Sequence, residues 1–433
     1  MWALQTETVS STSAISLGSN SKEFQSTISN AEEAKIGGTS YDPSLRSGTI
    51  ALANSMRQPA QSIFSDVKET NPFILYRDRL DSYDHAVAAG WSDQQFMDLV
   101  ARLDAGIQVV DGAGFSVTPV INGGPLAAAL GLDIDLRIKV EIDSVGGSHK
   151  ARHLFGVALH SAVENATKDP PTGSLAIASC GNAAIAAAIV AKAINQPIDV
   201  FVPVWAEQSA LDLLQELGAQ IQVCTPATDE KGDPCYARFQ QAIANGSRPF
   251  GVQGTDTPAA FDGGRTLGWE LHDQVPNLDT VFVQVGGGAL GTATAMALPG
   301  VPIYPVQVSG CAPLKRAWDL LAPDFDMAEA ADNPENFMWP WDEPSSAASG
   351  LLDDITYDWL PLLEATLVGG GEPVVVPEAT LIETHRIATS VTGLNVSPNG
   401  VAGLAGLVED PPKTGEVVAV LFTGVDRQNE VAA

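Results

Sequence analysis

The chain reads as an α/β protein built on mainly parallel strands, and three observations carry that expectation. Short β-branched or apolar runs alternate with Ala- and Leu-rich stretches of helical length from about residue 117 onward. The run at 280–285 is apolar almost throughout, the pattern of a strand covered on both faces rather than on one. With 433 residues and 45% apolar content, the chain has material for a large core and for two or three structural units.

Taken in order, residues 1–41 have the Ser, Thr, Asn and Glu composition of a flexible arm that has little to repay the entropy of folding. Residues 42–115 turn helical, with Trp91, Phe96, Leu99, Val100 and Leu103 spaced for one apolar face and Ser92 placed as its N-cap. They form an extension packed on the main body. Strands are expected at 136–142, 175–178, 198–202, 220–224, 280–285, 303–308 and 417–422. Helices are expected at 151–165, 183–194, 208–217, 266–274 and 401–407. No internal repeat is evident. Residues 324–349, dense in Pro, Asp, Asn and Trp, read as a surface excursion near a site mouth.

Composition excludes several classes. Against 52 Asp and Glu stand only 23 Lys and Arg, a formal charge of −29, so a polyanion such as nucleic acid is repelled over most of the surface. Cys180, Cys224, Cys235 and Cys311 are scattered without metal-like spacing, which argues against a zinc site or a disulfide scaffold and fits a reducing compartment. The first twenty residues lack a basic start and an apolar stretch of signal-peptide length, and the most apolar helical run is broken by Lys192. The expectation is a cytoplasmic protein with neither a membrane nor a nucleic acid partner.

Three segments carry chemistry. In Ser144-Val-Gly-Gly-Ser-His-Lys150-Ala-Arg152, a lysine follows a glycine turn at a strand-to-helix corner, where its amine can be positioned and its pKa lowered. By itself this segment reads as an ordinary solvated lysine beside a turn, since glycine turns with a nearby lysine are common. Ser179-Cys-Gly-Asn182 lies between an apolar strand and a small-residue helix, so N–H groups and polar side chains meet where an anion docks. The plain alternative is an N-cap. In Val285-Gly-Gly-Gly-Ala-Leu-Gly291, consecutive glycines let a backbone approach a phosphate, or simply make a turn; the spacing is not that of a dinucleotide fingerprint.

In this order the three segments resemble the fold type II pyridoxal phosphate enzymes, the group of threonine synthase, serine and threonine dehydratases, cysteine synthase and tryptophan synthase β. The similarity extends over about 117–425 and takes in Thr118-Pro119, Leu136-Arg-Ile-Lys-Val-Glu141, Val202-Pro203, the Leu-Gly-Ala ending at Ala219, Phe261-Asp-Gly-Gly-Arg-Thr266 and Leu421-Phe-Thr-Gly424. The resemblance implies a two-domain tryptophan synthase β-like fold, with residues 116–160 and 262–433 in a large cofactor domain and 161–261 in a small domain carrying the Asn turn. It implies pyridoxal 5'-phosphate on Lys150, which would also serve as the Cα base. Asn182 would bond the cofactor's phenolic oxygen; Gly286, Gly287, Gly288, Ala289 and Leu290 would hold its phosphate; Thr423 would face the pyridine nitrogen. Ser179, Cys180 and Gly181 would bind a substrate carboxylate, and no metal is assigned. A hydroxyl at the ring nitrogen makes a moderate electron sink, suited to elimination or replacement. Without the other motifs Thr423 is simply a residue capping a strand end. Two positions depart from common patterns: His149, read as a packing residue, and Arg265, which either meets an anionic substrate group or makes a surface ion pair.

The Ser-Cys-Gly-Asn-Ala turn and the alanines after it most resemble serine and threonine dehydratases. They imply a lyase that removes the β-substituent of a hydroxylated amino acid, giving a 2-oxo acid and ammonia. The alternatives are a threonine synthase-like replacement on a phosphorylated amino acid, supported by Arg265-Thr266 and Thr423-Gly424; a β-replacement synthase; and a binding or regulatory protein that keeps the fold without catalysis. The family also implies a homodimer. A separate regulatory domain after Gly424 is not expected.

Overall fold

The computed structural model describes residues 69–166, 172–225, 233–322 and 324–427. The expected arm at 1–41 and the first part of the helical extension lie outside them. In chain order the strands are β1 (Val120–Asn122), β2 (Asp135–Val140), β3 (Leu175–Ala178), β4 (Ile198–Pro203), β5 (Gln220–Cys224), β6 (Arg248–Pro249), β7 (Thr280–Gln284), β8 (Ile303–Val308), β9 (Val374–Val376) and β10 (Val417–Phe422). They form a six-stranded sheet in the order β1-β2-β10-β7-β8-β9 and a four-stranded sheet in the order β5-β4-β3-β6. Only the β1–β2 pair is antiparallel among these ladders. Parallel neighbours need long crossovers, and helices supply them here. This is the architecture of the fold type II enzymes.

Register decides what emerges at the sheet edge. β10 lies between β2 and β7, with Val418 opposite both Leu136 and Thr280 and Val420 opposite both Ile138 and Phe282. The C-terminal ends of these three strands therefore lie side by side. The turn to Lys150, Thr423 and the glycine loop all leave from that edge, which is where open parallel sheets bind their ligands.

β2 also carries charge into the core. Lys139, Glu141, Arg152 and Glu270 are all almost fully buried. Arg152 bridges Glu141 (Nε–Oε2 2.9 Å) and Glu270 (Nη1–Oε1 2.6 Å), while Lys139 Nζ reaches Glu270 Oε2 at 2.5 Å. Two cations thus face two anions, and Thr118 Oγ1 donates to Glu141. Burial works against a charged Glu270, but Arg152 and Lys139 outweigh it and hold its pKa below the usual value.

Helices behave as expected at Lys150–Asn165, Asn182–Ala193, Gln208–Glu216 and Pro398–Glu409, within a few residues at each end. Ser92 caps helix Asp93–Asp111 in a reciprocal arrangement with Gln95, and Phe96, Leu99 and Val100 are buried. This helix lies on Asn182–Ala193, where a Cβ on Gly106 would come within 2.7 Å of Ala193 O. One boundary differs markedly: the helix expected from 266 begins at 260 and runs as Ala260–Gln274. Gly263 and Gly264 look like a break in sequence, but both are buried in the helix because a Cβ on Gly263 would meet Arg152 O at 1.9 Å. Their role is close packing against the Lys150 helix. Helices Pro234–Ala244, Ala289–Ala297, Pro313–Leu321, Trp359–Gly369 and Glu378–Thr392 and strands β1, β6 and β9 were not expected. The 324–349 excursion holds a short helix, Met327–Asp332, and Trp341 N donates to Asp354 O at 2.7 Å. No described helix is long and apolar enough to cross a membrane.

Candidate active site

After β2 the chain reverses through Gly146 and Gly147, both at φ +67°, a region that side chains other than glycine rarely enter. The reversal is sealed by the end of the chain's last strand. Ser148 bridges Gly424, Val425 N donates to Gly147 O at 3.0 Å, and Arg427 Nη2 donates to Gly146 O at 2.6 Å. Lys150 therefore opens its helix beside Thr423. Burial lowers its pKa, while the charges of Asp353 and Asp358 act in the opposite sense. The two flanking imidazoles are kept uncharged. Burial and then the Lys150 charge push His149 well below its ordinary value and His153 to about 3. His149 Nδ1 lies 3.2 Å from Thr423 O, and its buried Nε2 has no partner.

Asn182 is the first residue of Asn182–Ala193, but the N-cap position falls on Gly181, so no side chain caps this helix. Asn182 is therefore not the cap, and Ser179 Oγ accepts from Gly181 N at 3.4 Å. Ser179 N donates to Phe201 O of β4 at 3.1 Å, which ties the turn to the smaller sheet. Asn182 faces the other sheet. A Cβ on Gly424 would stand 3.1 Å from its Nδ2, and its Oδ1 accepts from Arg427 Nε at 3.4 Å. Ser179 and Cys180 are half-buried and Gly181 is exposed; burial pushes the Cys180 thiol up to about 11, so it stays protonated.

The glycine loop runs from β7 into Ala289–Ala297, again with no side-chain cap and with Gly288 at φ +104°. Ala289 and Leu290 are buried. Residues 350–358 cross this loop. A Cβ on Gly286 would meet Asp353 Oδ2 at 2.7 Å, and one on Gly288 would meet Asp358 Cβ at 3.0 Å. A Cβ on Gly287 would stand 3.2 Å from the same Asp353 oxygen. Asp358 N donates to Gly287 O at 2.8 Å, while its carboxylate accepts from Gly254 N, Thr255 N and Thr255 Oγ1. Burial pushes Asp353 up to about 6 and Asp358 up to about 7.

Thr423 is buried and accepts from Gln284 Nε2, which also donates to Leu421 O at 3.0 Å and Gly400 O at 3.3 Å. Two of these three partners are carbonyl oxygens, so the amide nitrogen must be the atom pointing at them. Thr423 is then an acceptor from Gln284, and its own proton is left for another partner.

The structure thus brings together Lys150, Asn182, the glycine loop and Thr423, with Ser179, Cys180 and Gly181 on the adjoining turn. Arg265 is not with them. It is buried between Asp262 (2.6 Å) and the half-exposed Asp81 (3.0 Å), with its guanidinium 5.3 Å from the Trp269 ring centroid, so the expected ion pair is present and its Asp262 side is internal. Sequence reading passed over Gln284, Asp353, Asp358 and Arg427. Gln284 offered a signal, as a polar residue at the end of an otherwise apolar strand next to the glycine loop. The others sit in segments whose composition looks like ordinary surface. No group of three or more metal-ligating side chains occurs among the described residues.

A lysine, a bare glycine loop and a buried hydroxyl leaving one C-terminal edge of a parallel sheet point to a class of cofactor-dependent enzymes rather than a simple binding fold. The chain matches the pyridoxal-phosphate dependent enzyme family over residues 113–424, and it belongs to that family. Among curated relatives, it is 26% identical over 295 residues to beta-hydroxyaspartate dehydratase of Paracoccus denitrificans, covering 66% of this chain and 80% of the relative. It is 26% identical to mouse serine racemase and 27% identical to the biosynthetic L-threonine dehydratase of Haemophilus influenzae. These matches cover 45% and 53% of this chain but only 56% and 42% of the relatives. Maize serine racemase superposes with a TM-score of 0.59 at 18% identity, over 77% of this chain and 95% of that one. The processed form of threonine deaminase isoform 2 from Solanum lycopersicum gives 0.60 at 17%, over 78% and 92%.

Pyridoxal 5'-phosphate is the cofactor, and the residues present fit it. The loop at Gly286 and Gly287 has no room for a Cβ, its helix start is uncapped, and it already accommodates an anionic oxygen, that of Asp353. Lys150 would supply the amine, next to Thr423 and with Asn182 against Gly424.

Proposed function

We propose that the protein is an ammonia-lyase of the dehydratase type, acting on a small hydroxylated amino acid. The observation that carries this reading is the Ser179-Cys-Gly-Asn182 turn. It presents uncapped N–H groups at a helix start, half-exposed, with Asn182 against Gly424 beside Lys150. Such a turn receives a carboxylate. The bound cofactor supplies the electron sink for charge developing at Cα. The chain's own residues do the rest. Ser179, Cys180 and Gly181 hold the substrate carboxylate; Asn182 and Thr423 orient the ring; Lys150, with its amine pKa lowered by burial, takes the Cα proton. Loss of the β-hydroxyl as water leaves an enamine, which water then hydrolyses to the 2-oxo acid and ammonia. The dehydratases among the relatives support the same reading. Arg265, which on sequence favoured a phosphorylated substrate, is engaged by Asp262 and Asp81.

The test is a panel of serine, threonine and β-hydroxyaspartate in both configurations, followed for ammonia, 2-oxo acid and enantiomer composition. Ammonia and 2-oxo acid in equal amounts are expected. Enantiomer exchange without ammonia would make the protein a racemase, and phosphate release from O-phosphohomoserine would make it a replacement enzyme.

A further inference from the structure

We propose that Asp353 competes with the cofactor phosphate for the anion cradle: its carboxylate rests against the loop at Gly286 and Gly287 and gives up that place when phosphate enters. The argument starts from geometry. Oδ2 of Asp353 lies where a Cβ on Gly286 would be 2.7 Å away and one on Gly287 3.2 Å away, so the carboxylate rests on the bare backbone of both glycines. A phosphate would be held on that same bare backbone. Burial opposes the charge of Asp353 and Lys150 favours it. One small cradle does not hold a carboxylate and a phosphate together, because like charges a few ångströms apart in a half-buried site repel strongly.

The segment that carries Asp353 is anchored at both ends but not at the aspartate itself. Behind it, Asp358 is held by Gly254, Thr255 and Gly287. Ahead of it, Gly350 N donates to Asn399 Oδ1 at 2.8 Å. Cys311 Sγ reaches only the backbone oxygen of Asp353, at 3.2 Å. The carboxylate is thus able to leave while the segment stays docked. Asp353 sets the affinity for the phosphate group of the cofactor, and does so without a part in the reaction. This inference rests on the cofactor and not on the lyase reading.

The experiment uses the full chain stripped of cofactor, at a pH where the carboxylate is charged. Binding of inorganic phosphate, pyridoxal phosphate and phosphate-free pyridoxal is measured by calorimetry for wild type and Asp353→Asn, with circular dichroism as the check of folding. The expected result is that Asp353→Asn binds phosphate and pyridoxal phosphate about tenfold or more tighter, since a like charge has been removed, while pyridoxal is unchanged. In the wild type, pyridoxal phosphate is also expected to raise amide hydrogen exchange within 350–358. Equal or weaker phosphate binding by the variant would overturn the proposal, and so would an equal gain for pyridoxal, which would put the aspartate's effect on Lys150. Asp353→Ser is read by the same criteria if the first variant does not fold. A chain that binds phosphate as described but forms no lysine-dependent visible band with pyridoxal phosphate would instead defeat the assignment of Lys150.

Discussion

The two walls of the site are held by opposite means. On the six-stranded side, Lys150 grows out of a helix pinned by Arg152 between Glu141 and Glu270, and Thr423 is fixed by Gln284. On the four-stranded side, Asn182 opens a helix whose buried face is alanine, isoleucine and valine, and whose first N–H groups have no side-chain cap. The first wall fixes its lysine helix and Thr423 through internal pairs; the second leaves its helix start uncapped. Internal pairing holds a group in one geometry, and an uncapped helix start leaves donors open to a ligand.

The largest effect expected from breaking this contrast is at Lys150. Lys150→Ala should remove the lysine-dependent visible band and lower turnover by about 10²–10⁴-fold, the usual worth of a positioned base. An unchanged band would remove the lysine from the site. Next comes the charged wall. Arg152→Met leaves Glu141 and Glu270 sharing only Lys139 in the core, so unfolding in urea should show a loss of about 3–5 kcal/mol. A loss below about 1 kcal/mol, the size of a surface pair, would mean that the network does not pin the lysine wall.

On the open wall the expectation is reversed. Asn182→Ala should change stability by no more than about 0.5 kcal/mol, because the side chain caps nothing, while cofactor affinity falls. A stability loss of about 1 kcal/mol with intact affinity would restore the N-cap role. The smallest effect is a pH dependence. Asp353 and Asp358 have pKa values of about 6 and about 7, raised by burial, so the folded chain keeps protons that the unfolded chain has released. Their contribution is fully present below the ordinary carboxyl range and is lost as pH rises through 6 and 7. Thermal midpoints of cofactor-free wild type should therefore fall relative to Asp358→Asn across that interval, and parallel curves would show that Asp358 is charged throughout.

Much of this was legible from sequence because it is local. The strands at 175–178, 220–224, 303–308 and 417–422 follow from apolar runs bounded by turn residues, and the Ser92 cap follows from Ser and Gln three apart ahead of an apolar face. The glycine turn before Lys150 and the glycine loop after β7 were readable for the same reason: a backbone that must take positive φ, or approach something closely, writes glycine at that position. The helix at 260–274 marks the limit. Its two glycines resemble a loop until the Lys150 helix is laid against them.

The sequence by itself determined the parallel α/β character, the lysine, the Asn turn and the glycine loop, since each depends on residues within a few positions of one another. Tertiary structure alone decided which polar groups share a space. It set Gln284 behind Thr423, Arg427 between Gly146 and Asn182, and Asp353 in the glycine loop; it also sent Arg265 into an ion pair with Asp81 and Asp262. Those pairings join residues far apart in the chain through strand register and helix packing, and the cost of burying an unpaired charge selects them only once the layers have closed.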